Sequence, residues 1–325
     1  MDRRRFAATL SALGAGLILP RPGPLPTRRL GGTDLDVPIL SLGGSHLNQA
    51  LSERAARTLV ETALEEGIRF FDTAESYGEG GGSERFLGEI LEDRRDRVVL
   101  ATKFGWEPDR GLGARDHVVS AIDASLERLR TDYVDLYYLH KPDPATPIGE
   151  TLVALDELVQ AGKVRAIGCS NFSTAQLEEA ERVARERGTG RFTVLQNHYS
   201  LLERGDDEDV LPLCRELGVA YVPYFPLSSG LLTGKYQRGE PAPEGTRLAG
   251  RTIEDARFDR VEALERFAEE RGHTLLELAI SALASTPGIT SVIAGATKPE
   301  QVRANAAAGS WHLSEEDLQA LAAVS

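Results

Sequence analysis

The sequence predicts an α/β chain folded as a single closed (β/α)8 barrel of the TIM type, with a long loop after its seventh strand. Three observations predict it. Eight short apolar or β-branched runs alternate, without a change of pattern, with amphipathic stretches of helical period. The runs are apolar almost throughout, as strands of a parallel sheet covered on both faces must be. No Gly-x-Gly-x-x-Gly follows the first run, which disfavours an open dinucleotide-binding sheet.

Residues 25–325 carry this pattern and form the expected barrel domain; residues 1–24 stand apart. There Arg3 and Arg4 lead through Arg5 and Phe6 into a weakly apolar run, and Pro20, Pro22 and Pro24 break any continuing helix. The run, about 13 residues, is too short to span a bilayer roughly 30 Å thick. Its charged start, apolar middle and paired arginines match a twin-arginine export signal, which predicts a protein of the periplasm or exterior. A cytoplasmic chain with an N-terminal extension is the competing reading.

Strands are expected at 37–43, 69–72, 98–102, 134–139, 164–169, 193–196, 219–223 and 289–293. Helices are expected at 55–66, 115–129, 148–160, 175–187, 209–217, 258–271 continued by 275–284, and 299–308. In the first of these, Ala55, Leu59, Val60, Ala63 and Leu64 share one face. Ser52, Ser83 and Ser173 stand where helices start, and Gly67, Gly162, Gly188 and Gly218 where they end. Residues 228–257 interrupt the alternation with a stretch rich in Gly, Pro and Arg. Loops that long are usually functional, and this one follows the seventh strand, where barrels build phosphate sites.

Composition narrows the partners. The 325 residues are 41% hydrophobic and 27% charged, ordinary values for a globular chain large enough to bury a core. With 37 Lys and Arg against 50 Asp and Glu, the net charge of −13 repels nucleic acid and anionic membranes at long range. A local basic pocket for a phosphate remains compatible with it. The two cysteines, Cys169 and Cys214, have neither disulfide-scaffold nor metal-site spacing and read as buried apolar residues.

In a barrel, the polar residues to inspect lie at the C-terminal ends of strands. They are Asp72, Lys103, His140, Ser170 with Asn171, and Gln196; Tyr77 follows Asp72 in the loop FDTAESYGEGGG. Lys103 ends the apolar run VVLATK, and a lysine entering a barrel mouth needs an anion, for which Asp72 is within reach. A tyrosine beside that pair would have its phenolate stabilised and its pKa lowered from about 10, making it a proton donor and acceptor. His140 has an imidazole N–H suited to polarising a substrate oxygen. Singly, each has an ordinary structural use as helix cap, loop wall or carbonyl clamp. Together, at the mouths of three consecutive strands, they point to one site.

These residues carry a resemblance. FDTAESYG, TKFG and DLYYLHKPD look like the catalytic tetrad of the aldo-keto reductases, in order. GCSNF, QNHYS, YFPLSSGLLTGKY and AGATKPEQVRAN extend the similarity over about residues 28–322. The resemblance implies an NADP(H)-dependent reductase that interconverts a small-molecule aldehyde or ketone and an alcohol. Tyr77 would give the proton, Lys103 paired with Asp72 would tune it, and His140 would orient the carbonyl. Ser170, Asn171 and Gln196 would hold the nicotinamide carboxamide and Tyr224 would stack on its ring. Leu227, Ser228, Gly230 and Leu231 would cross the pyrophosphate. Gly295, Thr297, Lys298, Gln301 and Asn305 would open the last cofactor helix, whose free N–H groups suit anions.

Departures from the family pattern bear on the coenzyme. Many members carry a basic residue, then Ser or Thr, then Arg where this chain has Gly295, Ala296 and Gln301; the basic ones recognise the 2′-phosphate, and their absence leaves Lys298 and Arg303 as substitutes and NAD(H) as a second possible coenzyme. Ser45, His46 and Trp106 are expected to shape the substrate pocket; His117, His273 and His312 read as surface residues, and no metal is expected. Two other readings use the same residues. A cofactor-binding regulatory subunit with little turnover, like the potassium-channel β subunits of this family, would keep the barrel. A metal-dependent hydrolase on Asp72, His46, His140 and His198 lacks the His-x-His after strand one, and Lys103 would compete with its cation.

Overall fold

The computed structural model describes residues 25–47 and 51–324. The expected export segment, residues 1–24, lies outside them. Two short strands, β1 (Thr27–Arg29) and β2 (Asp36–Pro38), pair antiparallel as a hairpin. Its turn is closed by the Leu30 N–H donating to the Leu35 carbonyl at 2.8 Å. Gly31 is required there: its φ is +55°, and a Cβ would lie 2.3 Å from the Thr193 carbonyl oxygen. Leu30, Leu35 and Val37 are thereby pressed against Phe70, Ala101, Leu136 and Val194 inside the ring of strands, stopping its N-terminal end with apolar side chains.

The ring has eight parallel strands: β3 (Leu40–Gly43), β4 (Phe70–Asp72), β5 (Val99–Phe104), β6 (Val134–Leu139), β7 (Val164–Ser170), β8 (Val194–Gln196), β9 (Ala220–Tyr221) and β10 (Val292–Gly295). They run in the order β10-β3-β4-β5-β6-β7-β8-β9, all pairs parallel. Bridges Tyr221–Ile289 and Tyr224–Ile293 join β9 to β10, with the Ile293 N–H donating to the Pro223 carbonyl at 3.0 Å. The sheet closes on itself, and the expected (β/α)8 barrel is the observed one. The expected first strand, 37–43, divides in two. Pro38 has no N–H to give a ladder, and Ile39 donates outward to Pro26 while its carbonyl accepts from Val292.

Helices α1 (Glu53–Glu65), α2 (Gly82–Leu91), α3 (Arg115–Leu129), α4 (Ile148–Gln160), α5 (Thr174–Arg187), α6 (Val210–Leu217), α7 (Asp255–Glu269), α8 (Leu275–Ser285), α9 (Pro299–Ala308) and α10 (Glu315–Ala322) cover the outside. Ser52 and Ser173 cap α1 and α5 as expected, and Gly188 and Gly218 end α5 and α6 in left-handed conformation. Ser83 corrects its expectation: it lies inside α2, buried, bonded to Thr73 at 2.8 Å and to the Gly44 carbonyl at 2.9 Å. Cys169 and Cys214 are free and buried, and burial pushes both thiols up, Cys214 to about 12. Among the described residues no helix is long and apolar enough to cross a membrane.

Candidate active site

The C-terminal ends of β4, β5 and β6 deliver three polar side chains to one point. Asp72 closes β4, and Lys103, one residue from the end of β5, is fully buried behind it. The Lys103 ammonium donates to Asp72 Oδ1 at 2.5 Å, to the Thr73 carbonyl at 2.8 Å and to the Tyr77 hydroxyl at 3.3 Å. Tyr77 is carried there by a turn that its own N–H closes on the Ala74 carbonyl at 3.0 Å. His140, just past β6, is fixed by its N–H donating to the Phe104 carbonyl at 2.8 Å, and its ring stands edge-on to Tyr77 with centroids 5.8 Å apart.

Electrostatics set the protonation states. Desolvation pulls the Lys103 ammonium down, but the Asp72 carboxylate and the Tyr77 oxygen together hold it above its usual value, so it is charged. Burial pushes the Tyr77 phenol above its ordinary value; Lys103 pulls it back and Asp72 adds to the rise. This corrects the expected lowering, because removing a phenolate from water costs more here than the neighbouring cation returns. His140 is held well below the usual imidazole value, first by burial and then by Lys103 and Lys141. It is neutral, with one N–H to donate, and its Nδ1 is buried without a hydrogen-bond partner.

A cavity of about 1090 Å³ opens over these groups. Asp72, Tyr77, His140, Ser45, His46 and Trp106 all line it, as do Ser170, Asn171, Gln196, Tyr224, Leu227, Gly230, Gly295, Thr297, Lys298, Gln301 and Asn305. Several of these bond to one another. Gln196 Nε2 donates to Asp72 Oδ2 at 2.8 Å, Asn171 Nδ2 to the His140 carbonyl at 2.9 Å, and the Tyr224 hydroxyl to Asn171 Oδ1 at 2.7 Å. Asn171 holds a left-handed φ of 62° to do so, a conformation asparagine tolerates. Tyr224 stacks on His198, rings 5.4 Å apart and 16° from parallel. Gln301 Oε1 accepts the Thr297 and Lys298 N–H groups at 2.8 and 3.2 Å, capping α9. Asn305, 5% exposed, makes no side-chain hydrogen bond to any described residue.

Some expected residues lie elsewhere. Ser228 is turned away, its hydroxyl accepting from Arg257 at 2.9 Å, and Leu231 is packed in the core. Arg303 pairs with Glu66 at 3.8 Å outside the cavity. Three of the four residues of the hydrolase reading are otherwise engaged: Asp72 with Lys103, His46 with Arg247, His198 with Tyr224. Among the described residues no three His, Cys, Asp or Glu side chains assemble as metal ligands. His117 and His273 are half-buried rather than surface residues, and His273 stacks on Trp311 at 3.9 Å; His312 is exposed. Lys141, Lys235, Arg247 and Phe225 line the cavity without having been singled out by the sequence reading. Lys235 sits in the quoted run YFPLSSGLLTGKY and Lys141 in DLYYLHKPD, so proximity to those motifs is the signal that was there.

Barrel and site define an oxidoreductase of one family. The sequence model of the Aldo/keto reductase family matches residues 39–325, and the chain belongs to that family. It is 35% identical over 295 residues to a probable voltage-gated potassium channel subunit beta of Arabidopsis thaliana, covering 86% of this chain and 89% of that protein. It is 33% identical to L-glyceraldehyde 3-phosphate reductase of Escherichia coli (strain K12), covering 88% of each. It is 36% identical to aldo-keto reductase YhdN of Bacillus subtilis (strain 168), covering 82% of each.

Proposed function

We propose that this protein is an NADP(H)-dependent carbonyl reductase, reducing an aldehyde or ketone to an alcohol. The observation that carries the reading is a protonated Tyr77 at the cavity wall, backed by the charged Lys103–Asp72 pair and flanked by neutral His140. When bound, the coenzyme supplies a hydride for the carbonyl carbon. The Tyr77 hydroxyl gives its proton to the carbonyl oxygen as charge develops there. His140 donates its N–H to the same oxygen, and Lys103 stabilises the phenolate left behind.

The residues present fit a phosphorylated dinucleotide. Lys235, Arg247 and Lys298 bring positive charge to one side of the cavity, beside the capped start of α9, and Asn305 has an unused buried amide. Tyr224 offers a ring and the Ser170–Asn171 segment polar groups for the nicotinamide end. Lys298, Arg247 and Lys235 favour NADPH by charge; the uncharged Gln301 leaves NADH as an alternative.

Titration of the full chain with NADPH and NADH, followed by aldehyde-dependent loss of reduced-nicotinamide absorbance, tests this. Binding and turnover are expected; no binding of either nucleotide overturns it. The relative named as a potassium channel subunit beta favours a second reading, a regulatory subunit, which binding without turnover would support. For residues 1–24 the reading is an export signal. N-terminal sequencing of protein recovered outside the cytoplasm would find it removed, and an intact cytoplasmic chain would overturn it.

A further inference from the structure

We propose that Lys141 is an anion-recognition residue of the substrate pocket, selecting carbonyl compounds that also carry a carboxylate or a phosphate. The proposal rests on the reductase reading above and names its substrate class.

Lys141 lines the cavity one residue after His140. Its Nζ lies 3.8 Å from the centroid of the Trp106 ring, and that ring lies 4.6 Å from His140. Trp106 therefore holds the ammonium beside the reacting centre, but an aromatic face does not neutralise it. No described carboxylate pairs with it. Of the acidic side chains around it, Glu75 accepts the Gly105 N–H at 2.9 Å, Glu107 pairs with Arg110 at 2.7 Å and Asp143 accepts the Gly113 N–H at 2.8 Å, while Asp109 and the cavity-lining Glu244 form no ion pair with Lys141. Lys141 thus keeps a half-buried positive charge, with no carboxylate bound to it, beside the catalytic groups.

The coenzyme does not account for it. Lys235 and Arg247 come from the segment after β9 and Lys298 from that after β10, whereas Lys141 follows β6. In the closed ring β6 lies four strands from β10 in either direction, and three from β9. By strand position the cations thus fall in two groups, Lys141 beside His140 at the end of β6 and the others after β9 and β10, with β4 and its Asp72 midway between β6 and β10. One group suits the phosphates of a dinucleotide; the other faces whatever presents its carbonyl to Tyr77 and His140. His140 is held neutral first by burial, so it keeps its N–H donor form when an anion offsets the charge of Lys141.

The test is discrimination between matched aldehydes. The ratio of kcat/KM for 4-carboxybenzaldehyde over 4-nitrobenzaldehyde, and for glyceraldehyde 3-phosphate over glyceraldehyde, is measured in the wild type, Lys141→Met and Lys141→Arg. A charge-assisted contact predicts a fall of about 10- to 100-fold in at least one ratio in Lys141→Met, carried mainly by KM, with recovery in Lys141→Arg. Which pair responds separates carboxylate from phosphate. Ratios unchanged by Lys141→Met overturn the proposal. If no aldehyde is reduced at all, the reductase reading fails, and Trp106 fluorescence still decides on Lys141. In a Trp311→Phe background, terephthalate or inorganic phosphate should bind at least tenfold more weakly to Lys141→Met; equal affinity overturns the proposal.

Discussion

The Lys103 ammonium reaches the Tyr77 hydroxyl over 3.3 Å while its shorter bonds, to Asp72 and the Thr73 carbonyl, fix it from behind. The lysine is thus held in place by protein alone, and Tyr77 meets a preorganised cation whenever its proton leaves. On the proposed mechanism, Tyr77→Phe deletes the proton donor and little else, since the ring and its edge contact with His140 remain. Steady-state and single-turnover kinetics should show kcat down about 10²- to 10⁴-fold, the usual worth of a general acid. Coenzyme affinity from fluorescence titration should stay within about twofold. Equal losses in both would remove Tyr77 from the chemistry.

Lys103→Met should cost stability as well as turnover. It leaves the Asp72 carboxylate buried with only the Gln196 amide, and breaking a buried pair by removing one partner costs about 3–5 kcal/mol. Urea denaturation checks the magnitude. Lys103→Met/Asp72→Asn should recover part of the stability and none of the turnover, because the orphaned charge is gone but the phenolate still lacks its cation. Loss of Lys103 also removes the influence that lowers the Tyr77 pKa. In alcohol oxidation, which needs the phenolate, the rise of residual rate with pH should therefore move to higher pH.

Much of this arrangement is readable in the sequence, for a physical reason. Asp72, Lys103 and His140 interrupt or end apolar strands, and a buried charge in such a run demands a partner and a purpose. The barrel is readable because its strands are covered on both faces and are apolar almost throughout. Beyond the start expected at Ser83, helix α2 is not, because Gly80, Gly81 and Gly82 read as a loop and Gly88 weakens the period. That glycine is needed where α2 meets α3, since a Cβ would lie 2.5 Å from the Arg128 carbonyl. The β1–β2 hairpin is too short and polar to show a pattern. Lys141, Lys235 and Arg247 sit on loops, where no periodicity reports direction. Arg247 faces the cavity because it packs 4.8 Å from the Phe225 ring, and Phe225 holds a φ of 57° that no sequence pattern announces. The direction of the Tyr77 shift depends on burial, which motif reading underweights.

His46 and Arg247 give the protein an acid-sensitive contact. The Arg247 guanidinium lies 3.0 Å from His46 Nε2, and burial together with that cation holds the imidazole down at about 4. An unfolded histidine titrates near 6.5. Between those values the unfolded chain binds more protons than the folded one, so stability falls as pH drops from about 6.5 toward 4. His140 and His198, also lowered, act in the same direction. The loss of Tm between pH 7 and pH 5 should therefore be smaller in His46→Gln than in the wild type, though not absent. An identical loss would mean that His46 titrates normally.

Gln301 decides how the start of α9 is divided between capping and coenzyme selection. Its Oε1 takes the Thr297 and Lys298 N–H groups, yet the residue also lines the cavity beside Lys298. Gln301→Arg gives up the cap, a loss of about 1 kcal/mol measurable by denaturation. If the side chain faces the 2′-phosphate, the new cation raises the preference for NADPH over NADH about tenfold in the ratio of dissociation constants. Gln301→Glu is the informative partner: it keeps the capping acceptor, places an acid in the first turn where the helix dipole favours it, and should lower the same ratio. Opposite movements of selectivity, with stability lost only in the arginine variant, separate the two roles. A ratio unmoved by either charge would assign the 2′-phosphate to Lys298 and Arg247 instead.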